Sequence, residues 1–236
     1  NGWKNYGAVK NNKIAQYNPS DKTIKFLPHK GLFVYDYKGK LYYFKNKRND
    51  ILVTPNHKML AKEERHKDYQ AIEAENLNWS RTTFLNSGNY VNDGIDHFVL
   101  PPIKHKQERK HPKYTHQQNA KKIPIDLWIE FLGYYLTEGG LQKRPAFGIP
   151  QKNKENVKKI RTCLSKLSSH IGFTLSETKE GEYTRFQVTN TQLFDYLSKN
   201  CGLKSNEKRL PMVLSSLSKK QIKILYDAMM LGDGSS

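Results

Sequence analysis

The chain has 236 residues, which is enough for one large domain or two of ordinary size. Aromatic residues make up 11% of it, with 14 Tyr among them, so wholesale disorder is excluded as the main state. Its 40 Lys and Arg against 22 Asp and Glu give a formal charge of +18. A surplus of that size favours a polyanionic partner, and nucleic acid is the usual one; a merely solvated surface is the alternative.

Cysteine content and hydropathy bear on the compartment. The two cysteines, Cys163 and Cys201, are too few for a disulfide framework. The sequence shows no run of 18 apolar residues and no signal peptide, so we expect no membrane partner and an intracellular setting. The chain starts at Asn1 rather than Met, and we therefore expect it to be a piece of a larger protein.

Residues 1–103 have the pattern of a compact all-β unit. The turn YKGK (37–40) lies between the aromatic runs FVYDY and LYYFK, which predicts a hairpin. ILVTP (51–55) predicts a short strand, and DHFVLPP (96–102) predicts a last strand closed by prolines. Many short strands with turn residues between them are typical of an all-β domain.

Residues 104–122 differ in composition from what precedes them. They contain seven Lys and Arg against one Glu and almost no aliphatic side chains. We interpret them as a linker or a basic arm. The histidines in this stretch offer a metal site as an alternative reading, although their spacing matches no familiar ligand pattern: His105, His111 and His116.

From Ile123 the pattern mixes helices with strands, so the expected fold class of the whole chain is α+β. Helices are predicted at 125–136, 156–172, 191–202 and 218–231, and strands at 145–152 and 181–190. Gly172 ends the second helix, Thr191 lies near the N-cap of the third, and Ser218 caps the fourth.

Two helices of this region repeat one pattern. FLGYYLTEGG (131–140) and LYDAMMLGDGSS (225–236) align so that Asp233 falls on Glu138, 95 residues away (233 − 138 = 95). Small residues align in the same register, four apart in each helix: Gly133 with Ala228, and Thr137 with Gly232. Small residues at this spacing let two helix backbones approach closely, so we expect the two helices to pack through these faces.

The acid that ends each helix needs a physical reason. A carboxylate at a helix C-terminus lies against the negative end of the macrodipole and is mildly destabilising. If the helices pack as predicted, Glu138 and Asp233 come together, and two close carboxylates repel unless a cation lies between them. Mg²⁺ prefers oxygen ligands and keeps several waters, so it is the expected companion. The alternative is that each acid simply starts a glycine-rich turn.

These two stretches resemble the paired helices of the LAGLIDADG (DOD-type) homing endonucleases, over about residues 124–236. In that family the helices form the interface between two αββαββα halves, and the final acid of each binds Mg²⁺ at a scissile phosphate. The resemblance implies that Glu138 and Asp233 are the metal ligands and that residues 123–236 form an incomplete endonuclease domain for double-stranded DNA. The bound metal would activate a water and stabilise charge on the phosphate.

The same resemblance suggests three further site residues. The segment GIPQKNKENVKKI corresponds to the family's strand-to-helix segment, where a Gln and basic groups order waters, which points to Gln151 and Lys152. EKRLP (207–211) lies where many members place an active-site lysine, which points to Lys208. A surface lysine in so basic a chain is otherwise a phosphate contact or simply solvated.

The first 103 residues are similar to another family. ILVTPNHKML (51–60) contains Thr54 and His57 in a TxxH pattern after a predicted strand. In order and spacing, the run from NGWKNYGAV to TPNH resembles the N-terminal part of an intein's Hint-type splicing domain. There the Thr and His assist the first acyl shift, and His polarises the scissile peptide bond. An intein that carries a LAGLIDADG endonuclease has both resemblances in the order seen here, and its splicing acts on the flanking segments of a host protein.

Departures from the intein pattern limit what we expect of this chain alone. Splicing needs a Cys or Ser as the first residue of the intein, and Asn1 is neither. The C-terminal splicing strands and the rest of the second endonuclease half are not in the sequence. We therefore expect a DNA endonuclease that is inactive as this isolated chain. The alternatives are a maturase-like or degenerate DNA-binding remnant, and one half of a split intein that needs a complementary C-terminal fragment.

Overall fold

The computed structural model describes residues 13–47, 49–64, 66–85, 87–106, 115–142, 145–211 and 214–233. These residues form a mixed α+β protein with several small sheets and four α-helices. The chain divides into two compact units, Asn1–Val91 and Asn92–Ser236. None of the described helices combines the length and apolarity needed to cross a membrane.

The first unit is built from short strands, as the sequence predicts. Strands β1 (Lys13–Asn18) and β2 (Thr23–Pro28) form a hairpin, and β8 (Asn89–Tyr90) pairs with β2 in parallel. Around it lie two further sheets, whose strands are β3 (Tyr42–Lys45) with β4 (Asp50–Val53), and β6 (Gln70–Glu73) with β5 (Lys58–Glu63) and β7 (Thr82–Phe84). A small core of Phe44, Met59 and Ala74 joins the sheet of β3 and β4 to the sheet of β5, β6 and β7.

The hairpin predicted at 37–40 is wrong. Residues 29–41 contain no strand, and the reversal lies further on, at 46–49, between β3 and β4. There the Asn46 side chain accepts a hydrogen bond from the Asn49 backbone N–H at 2.8 Å, and Asn46 N–H donates to the Asn49 carbonyl at 2.8 Å. Because an Asn side chain that bonds the backbone of its own turn stabilises that turn, the chain reverses here rather than at Gly39. Tyr37 instead folds back and donates to the Lys40 carbonyl.

The second unit begins with paired strands. Strand β9 (His97–Leu100) is antiparallel to β12 (Lys121–Pro124), and β10 (Ile103–Lys106) pairs with β11 (Thr115–Gln118). The strand predicted at 96–102 is thus confirmed, and it belongs to the second unit. Part of the expected linker at 104–122 forms strands, because Lys121 and Lys122 at its C-terminal end pair with β9. His111 lies outside the described residues, and His105 and His116 are register partners across β10 and β11.

The rest of the second unit alternates helices with a four-stranded sheet. Its elements are α1 (Ile125–Glu138), β13 (Gly140–Leu141), β14 (Ala146–Gln151), α2 (Lys154–Ile171), β15 (Thr174–Glu180), β16 (Tyr183–Thr189), α3 (Thr191–Cys201) and α4 (Lys219–Asp233). The antiparallel sheet has the order β13-β14-β16-β15. The helices and strands predicted for this region are confirmed.

Local signals explain where these helices begin and end. The Asn153 side chain accepts hydrogen bonds from the backbone N–H groups of residues 155 and 156, and Gly172 ends α2 in the left-handed conformation at φ 76°. Ser218 Oγ accepts from the Gln221 N–H, so the predicted cap of α4 is confirmed. The cap of α3 is Asn190, one residue before the predicted Thr191.

The core of the second unit is aromatic and centres on α1. Trp128 is fully buried and stacks on Phe98 with ring centroids 4.0 Å apart. Tyr196 of α3 contacts both rings edge-on. Fully burying an aromatic or large aliphatic side chain contributes about 1.5–3 kcal/mol each, so α1 is held from several sides at once. This core fixes the position of the α1 C-terminus, where Glu138 lies.

Candidate functional site

Helices α1 and α4 pack against each other through the small residues that the repeat singled out. A Cβ built on Gly133 would lie 2.4 Å from the Ala228 Cβ and 3.1 Å from the Leu225 carbonyl oxygen. Real Cβ atoms do not approach so closely, so glycine at 133 is a condition of this contact. The predicted packing of these two faces is therefore confirmed.

The contact continues to the C-terminal ends of both helices. A Cβ built on Gly232 would lie 2.1 Å from Thr137 Oγ1 and 3.2 Å from Glu138 Cγ. The backbone of α4 thus touches the side chain of Glu138 one residue before Asp233. Both acids end their helices, and the structure describes only the backbone of Asp233. The geometry brings the two predicted acidic positions to one place.

Lys208 lies at the same helix end. Its Nζ donates to the Tyr135 carbonyl oxygen at 3.1 Å and lies 5.6 Å from the centre of the Tyr135 ring. The last carbonyls of a helix carry partial negative charge, so an ammonium group beside them offsets the dipole. Burial raises the pKa of the Tyr135 phenol well above its ordinary value, so this ring stays neutral near the acids. The site combines carboxylate, ammonium and helix ends.

Gly139 lets the chain leave α1 next to this lysine. Its N–H donates to the Tyr135 carbonyl at 2.9 Å, and a Cβ there would lie 2.4 Å from Tyr135 Cδ2. Any side chain at 139 would therefore displace the Tyr135 ring over which Lys208 lies. The first glycine after Glu138 is required by this close approach, whereas a Cβ on Gly140 would meet nothing within 4 Å.

The start of α2 is tied to the end of α4. Asn156 Nδ2 donates to the Leu231 carbonyl at 2.9 Å, two residues before Asp233. Gln151 is buried at the end of β14, and its Oε1 accepts from the N–H groups of Lys152 and Asn153 at 2.9 and 3.0 Å. The acceptor end of Gln151 is thereby occupied by backbone, which leaves its amide N–H₂ as the end that can donate to a ligand.

The predicted Lys152 has a different environment. Its ammonium group pairs with Glu182 in the turn between β15 and β16, and both side chains are mostly exposed. The described structure thus places Glu138, Lys208 and the Asp233 backbone at one end of the α1–α4 pair, and we call this cluster the helix-end site. Lys152 is paired with Glu182 instead.

One face of the four-stranded sheet is left open to a large ligand. Phe186 and Val188 of β16 are buried, so Arg185 and Gln187, which alternate with them along the strand, point to the opposite face. Arg185 Nε donates to Glu180 Oε2 at 2.9 Å, and Gln187 Nε2 donates to the side-chain oxygen Oε1 of Gln142 at 3.4 Å. Guanidinium and amide groups of this kind pair with base edges in the DNA major groove.

In the first unit, Thr54 and His57 form a turn between β4 and β5. The Thr54 carbonyl accepts from the His57 N–H at 3.1 Å, and Thr54 Oγ1 donates to Asn56 Oδ1 at 2.8 Å. The His57 carbonyl accepts from the Ala74 N–H at 2.9 Å, which fixes the backbone, while the His57 side chain is exposed.

Sequence reasoning missed two residues of the helix-end site. Tyr135 supplies both the carbonyl and the ring that hold Lys208, and Asn156 joins α2 to α4. Neither carries a sequence signal, since both interactions join residues 73 or more positions apart. Among the described residues no group of three or more His, Cys, Asp or Glu is placed to hold a metal ion. A divalent ion held by Glu138 and Asp233 at the helix-end site would therefore draw most of its ligands from water and phosphate.

No protein-family model matches the chain. It is 24% identical over 233 residues to the ATP-dependent Clp protease proteolytic subunit of Chlamydomonas moewusii, covering 94% of the chain and 22% of that protein. It is 24% identical over 251 residues to the DNA-directed RNA polymerase subunit beta C-terminal section of Stigeoclonium helveticum, which covers 93% of the chain and 20% of that protein. Over 153 residues it is 27% identical to the DNA-directed RNA polymerase subunit Rpo1C of Methanocaldococcus jannaschii, which covers 63% of the chain and 16% of that protein. The chain spans about a fifth of the length of these relatives.

Proposed function

We propose that the chain is part of an intein that carries a LAGLIDADG-type homing endonuclease, and that its second unit serves Mg²⁺-dependent cleavage of double-stranded DNA. The observation that carries this proposal is the packing of α1 on α4 through Gly133 and Gly232, which brings Glu138 to the end of α4. A helix pair that only fills a core has no need of an acid at each of two adjacent C-termini, where both dipoles disfavour it.

The arrangement of elements supports the same proposal. The run α1-β13-β14-α2-β15-β16-α3 has the αββαββα order of an endonuclease half, and α4 follows as the first helix of a second half. The open sheet face, with Arg185 and Gln187, would lie along the major groove of the DNA. The chain's surplus of positive charge would supply phosphate contacts along the duplex.

Each of the predicted catalytic residues of the second unit has a proposed task. Glu138 and Asp233 would hold Mg²⁺, which when bound supplies positive charge to a phosphate and lowers the pKa of a water. Gln151 would orient water through its amide N–H₂, since its carbonyl oxygen is already occupied by backbone. Lys208, held at the Tyr135 carbonyl, would place a positive charge beside the phosphate. Lys152 would bind phosphate once released from Glu182.

The relatives support the intein part of the proposal by their diversity. One is named as a protease subunit and two as RNA polymerase subunits, yet this chain matches a segment of each. Protease and polymerase subunits share no chemistry that a common segment would serve. An element inserted into unrelated host genes would produce this pattern. In that setting His57 would polarise the scissile peptide bond at the junction with the host protein, and Thr54 would assist.

Cleavage by matched variants tests the endonuclease. The chain is joined to a second endonuclease half, because we expect no cleavage by the isolated chain. This completed protein is incubated with Mg²⁺ and a plasmid library that carries a randomised insert, and linear products are sequenced. We expect Glu138→Gln and Asp233→Asn to abolish cleavage while DNA binding is retained. The control is Glu130→Gln, which lies in the same helix and keeps an acceptor for the Tyr134 hydroxyl. Loss of DNA affinity with retained cleavage in Glu138→Gln would contradict the metal assignment. Binding without any Mg²⁺-dependent cutting by the completed protein without substitutions would favour a DNA-binding protein without catalysis.

A further inference from the structure

A second basic surface lies in a groove between α2 and the hairpin of β15 and β16. The groove has a volume of about 580 Å³ and includes the exposed side of the α2 N-terminal half. Five cationic side chains line it: Lys152, Lys154, Lys158, Arg161 and Lys179. We call it the α2 groove. Of these five side chains the proposed cleavage of duplex DNA uses only Lys152, and it relies otherwise on the sheet face of Arg185 and Gln187 and on the helix ends.

The carboxylates in the α2 groove are already paired. Glu177 accepts two hydrogen bonds from Arg161, at 2.6 and 2.8 Å, and Glu182 pairs with Lys152. The Arg161 hydrogen bonds lower the pKa of Glu177, so this carboxylate stays ionised and bound to its partner at neutral pH. Within the described part of the chain, Lys154, Lys158 and Lys179 form no salt bridge. The groove therefore carries three lysines whose charge is available to an anion.

The positions of these lysines suit a chain of phosphates. Lys154 and Lys158 are four residues apart on one exposed face of α2, so their side chains are neighbours along the groove. Lys179 stands across from them on β15. The ammonium groups thus line both walls of the groove. Lysine binds phosphate as a flexible point charge, which fits a backbone whose phosphates are spaced along an extended strand.

An aromatic side chain completes the groove. Tyr183 begins β16, lines the groove and is 51% exposed. An exposed tyrosine beside lysines has a ring face on which an unpaired base can stack. A base within a duplex has no free face for such stacking, because it is already stacked on its neighbours. We propose that the α2 groove binds single-stranded nucleic acid, with Lys154, Lys158 and Lys179 at the phosphates and Tyr183 under a base. An acidic peptide would use the lysines but would gain nothing from the ring.

Charge-removal variants of the full chain test the lysines. Binding of a fluorescent oligo-dT of about 12 nucleotides is measured by anisotropy in EDTA, over a range of salt. The groove variant is Lys154→Gln/Lys158→Gln/Lys179→Gln, and the matched control is Lys30→Gln/Lys38→Gln/Lys40→Gln, three exposed lysines of the first unit. Each phosphate contact on a single strand contributes about 0.7 to the slope of log K against log salt, so three contribute about 2. At about 0.1 M salt this corresponds to about a hundredfold loss of affinity.

We expect the groove variant to show this loss and the control to stay within about threefold of the unaltered chain. Equal losses in both triple variants would overturn the proposal, because the effect would then be that of net charge alone. Tyr183→Leu should lose about tenfold, the scale of one stacked base, and Tyr183→Phe should not. Circular dichroism checks that the variants fold, and all substituted side chains are exposed, so folding is expected to persist.

Competition separates the remaining ligands. A duplex of the same length that binds with the same dependence on the groove lysines and no dependence on Tyr183 would overturn the single-strand assignment. Polyglutamate that displaces the oligonucleotide as well as unlabelled oligo-dT would overturn the nucleic-acid assignment. Because the assay is run without a divalent ion, Glu138→Gln should bind oligo-dT like the unaltered chain. Failure of this inference is therefore distinguishable from failure of the proposed endonuclease.

Discussion

The contact between Gly133 and Ala228 makes a quantitative prediction. Replacing Gly133 by Ala puts a Cβ 2.4 Å from the Ala228 Cβ and 3.1 Å from the Met229 nitrogen, so the helices must separate. Over-packing of this kind costs about 1–3 kcal/mol. The same substitution gains about 1 kcal/mol of helix propensity. We expect a net loss of about 1 kcal/mol in the unaltered background.

A double-mutant cycle separates the two contributions. In an Ala228→Gly background the opposing methyl is gone, so Gly133→Ala should become neutral or stabilising there. Helix propensity enters both arms equally and cancels, and we expect a coupling free energy of about 1–2 kcal/mol between the two positions. Since the chain has two units, hydrogen exchange of α1 peptides is the suitable assay, because it reports the opening of this helix by itself.

Additivity would refute the reasoning. If Gly133→Ala stabilises α1 by about 1 kcal/mol in both backgrounds, propensity alone acts and positions 133 and 228 do not touch. The juxtaposition of Glu138 with the end of α4 would then lose its structural basis.

Three further predictions concern the second unit. Gln192 Nε2 donates hydrogen bonds to the backbone carbonyls of Pro101 and Asn119. Gln192→Leu should therefore lower the free energy of unfolding of the unit by about 2–3 kcal/mol in urea unfolding. A loss below about 0.5 kcal/mol would contradict a stabilising role for these two hydrogen bonds. Burial raises the pKa of the Cys163 thiol and raises that of Cys201 to about 12, so neither should react with a disulfide reagent at pH 8 until the unit unfolds; rapid labelling of the native chain would contradict this. Arg161 lowers the pKa of Glu177, so the pair stabilises the fold above the unfolded pKa of a glutamate, and this stabilisation is lost as pH falls through the lowered folded pKa. Carboxyl NMR should show the Glu177 pKa rising toward its ordinary value in Arg161→Gln, and an unchanged titration would contradict the pairing.

The helical part of the structure was predictable because its signals are local. The apolar and small positions of α1 and α4 recur with helical spacing, and Asn153, Gly172 and Ser218 mark ends within a few residues. The register that matched Gly133 with Ala228 came from comparing two such local patterns. Two helices with complementary small faces have few other ways to pack, which is why the contact itself was predicted.

The β-rich part was harder because strand pairing is not local. The run FVYDY at 33–37 has strand-forming residues, yet within the described part of the chain it forms no strand, and the Tyr37 hydroxyl donates to the Lys40 carbonyl instead. Strand β9 pairs with β12 across the intervening residues 101–120, so the change in composition at 104 does not coincide with the boundary between units at Val91. Pairings of this kind depend on contacts that a sequence pattern does not contain.

At the candidate site, the residue types were readable but their partners were not. Lys208 was predicted from its place after α3, whereas its hydrogen bond to the Tyr135 carbonyl depends on how α1 ends at Gly139. The bond from Asn156 to the Leu231 carbonyl likewise exists only once α2 and α4 have packed. Side chains that bond to a distant backbone leave no periodic trace in the sequence.

The most direct test of the account is to locate a divalent ion on the chain. Fe²⁺ with ascorbate and peroxide produces hydroxyl radicals that cut the backbone next to the bound ion, and the fragments are identified by mass spectrometry. A metal site between the two helix ends predicts cuts near both residue 138 and residue 233, suppressed by excess Mg²⁺, absent in Glu138→Gln and retained in Glu130→Gln. Cuts elsewhere, or cuts at these positions that persist in Glu138→Gln, would contradict a metal site between the two helix ends.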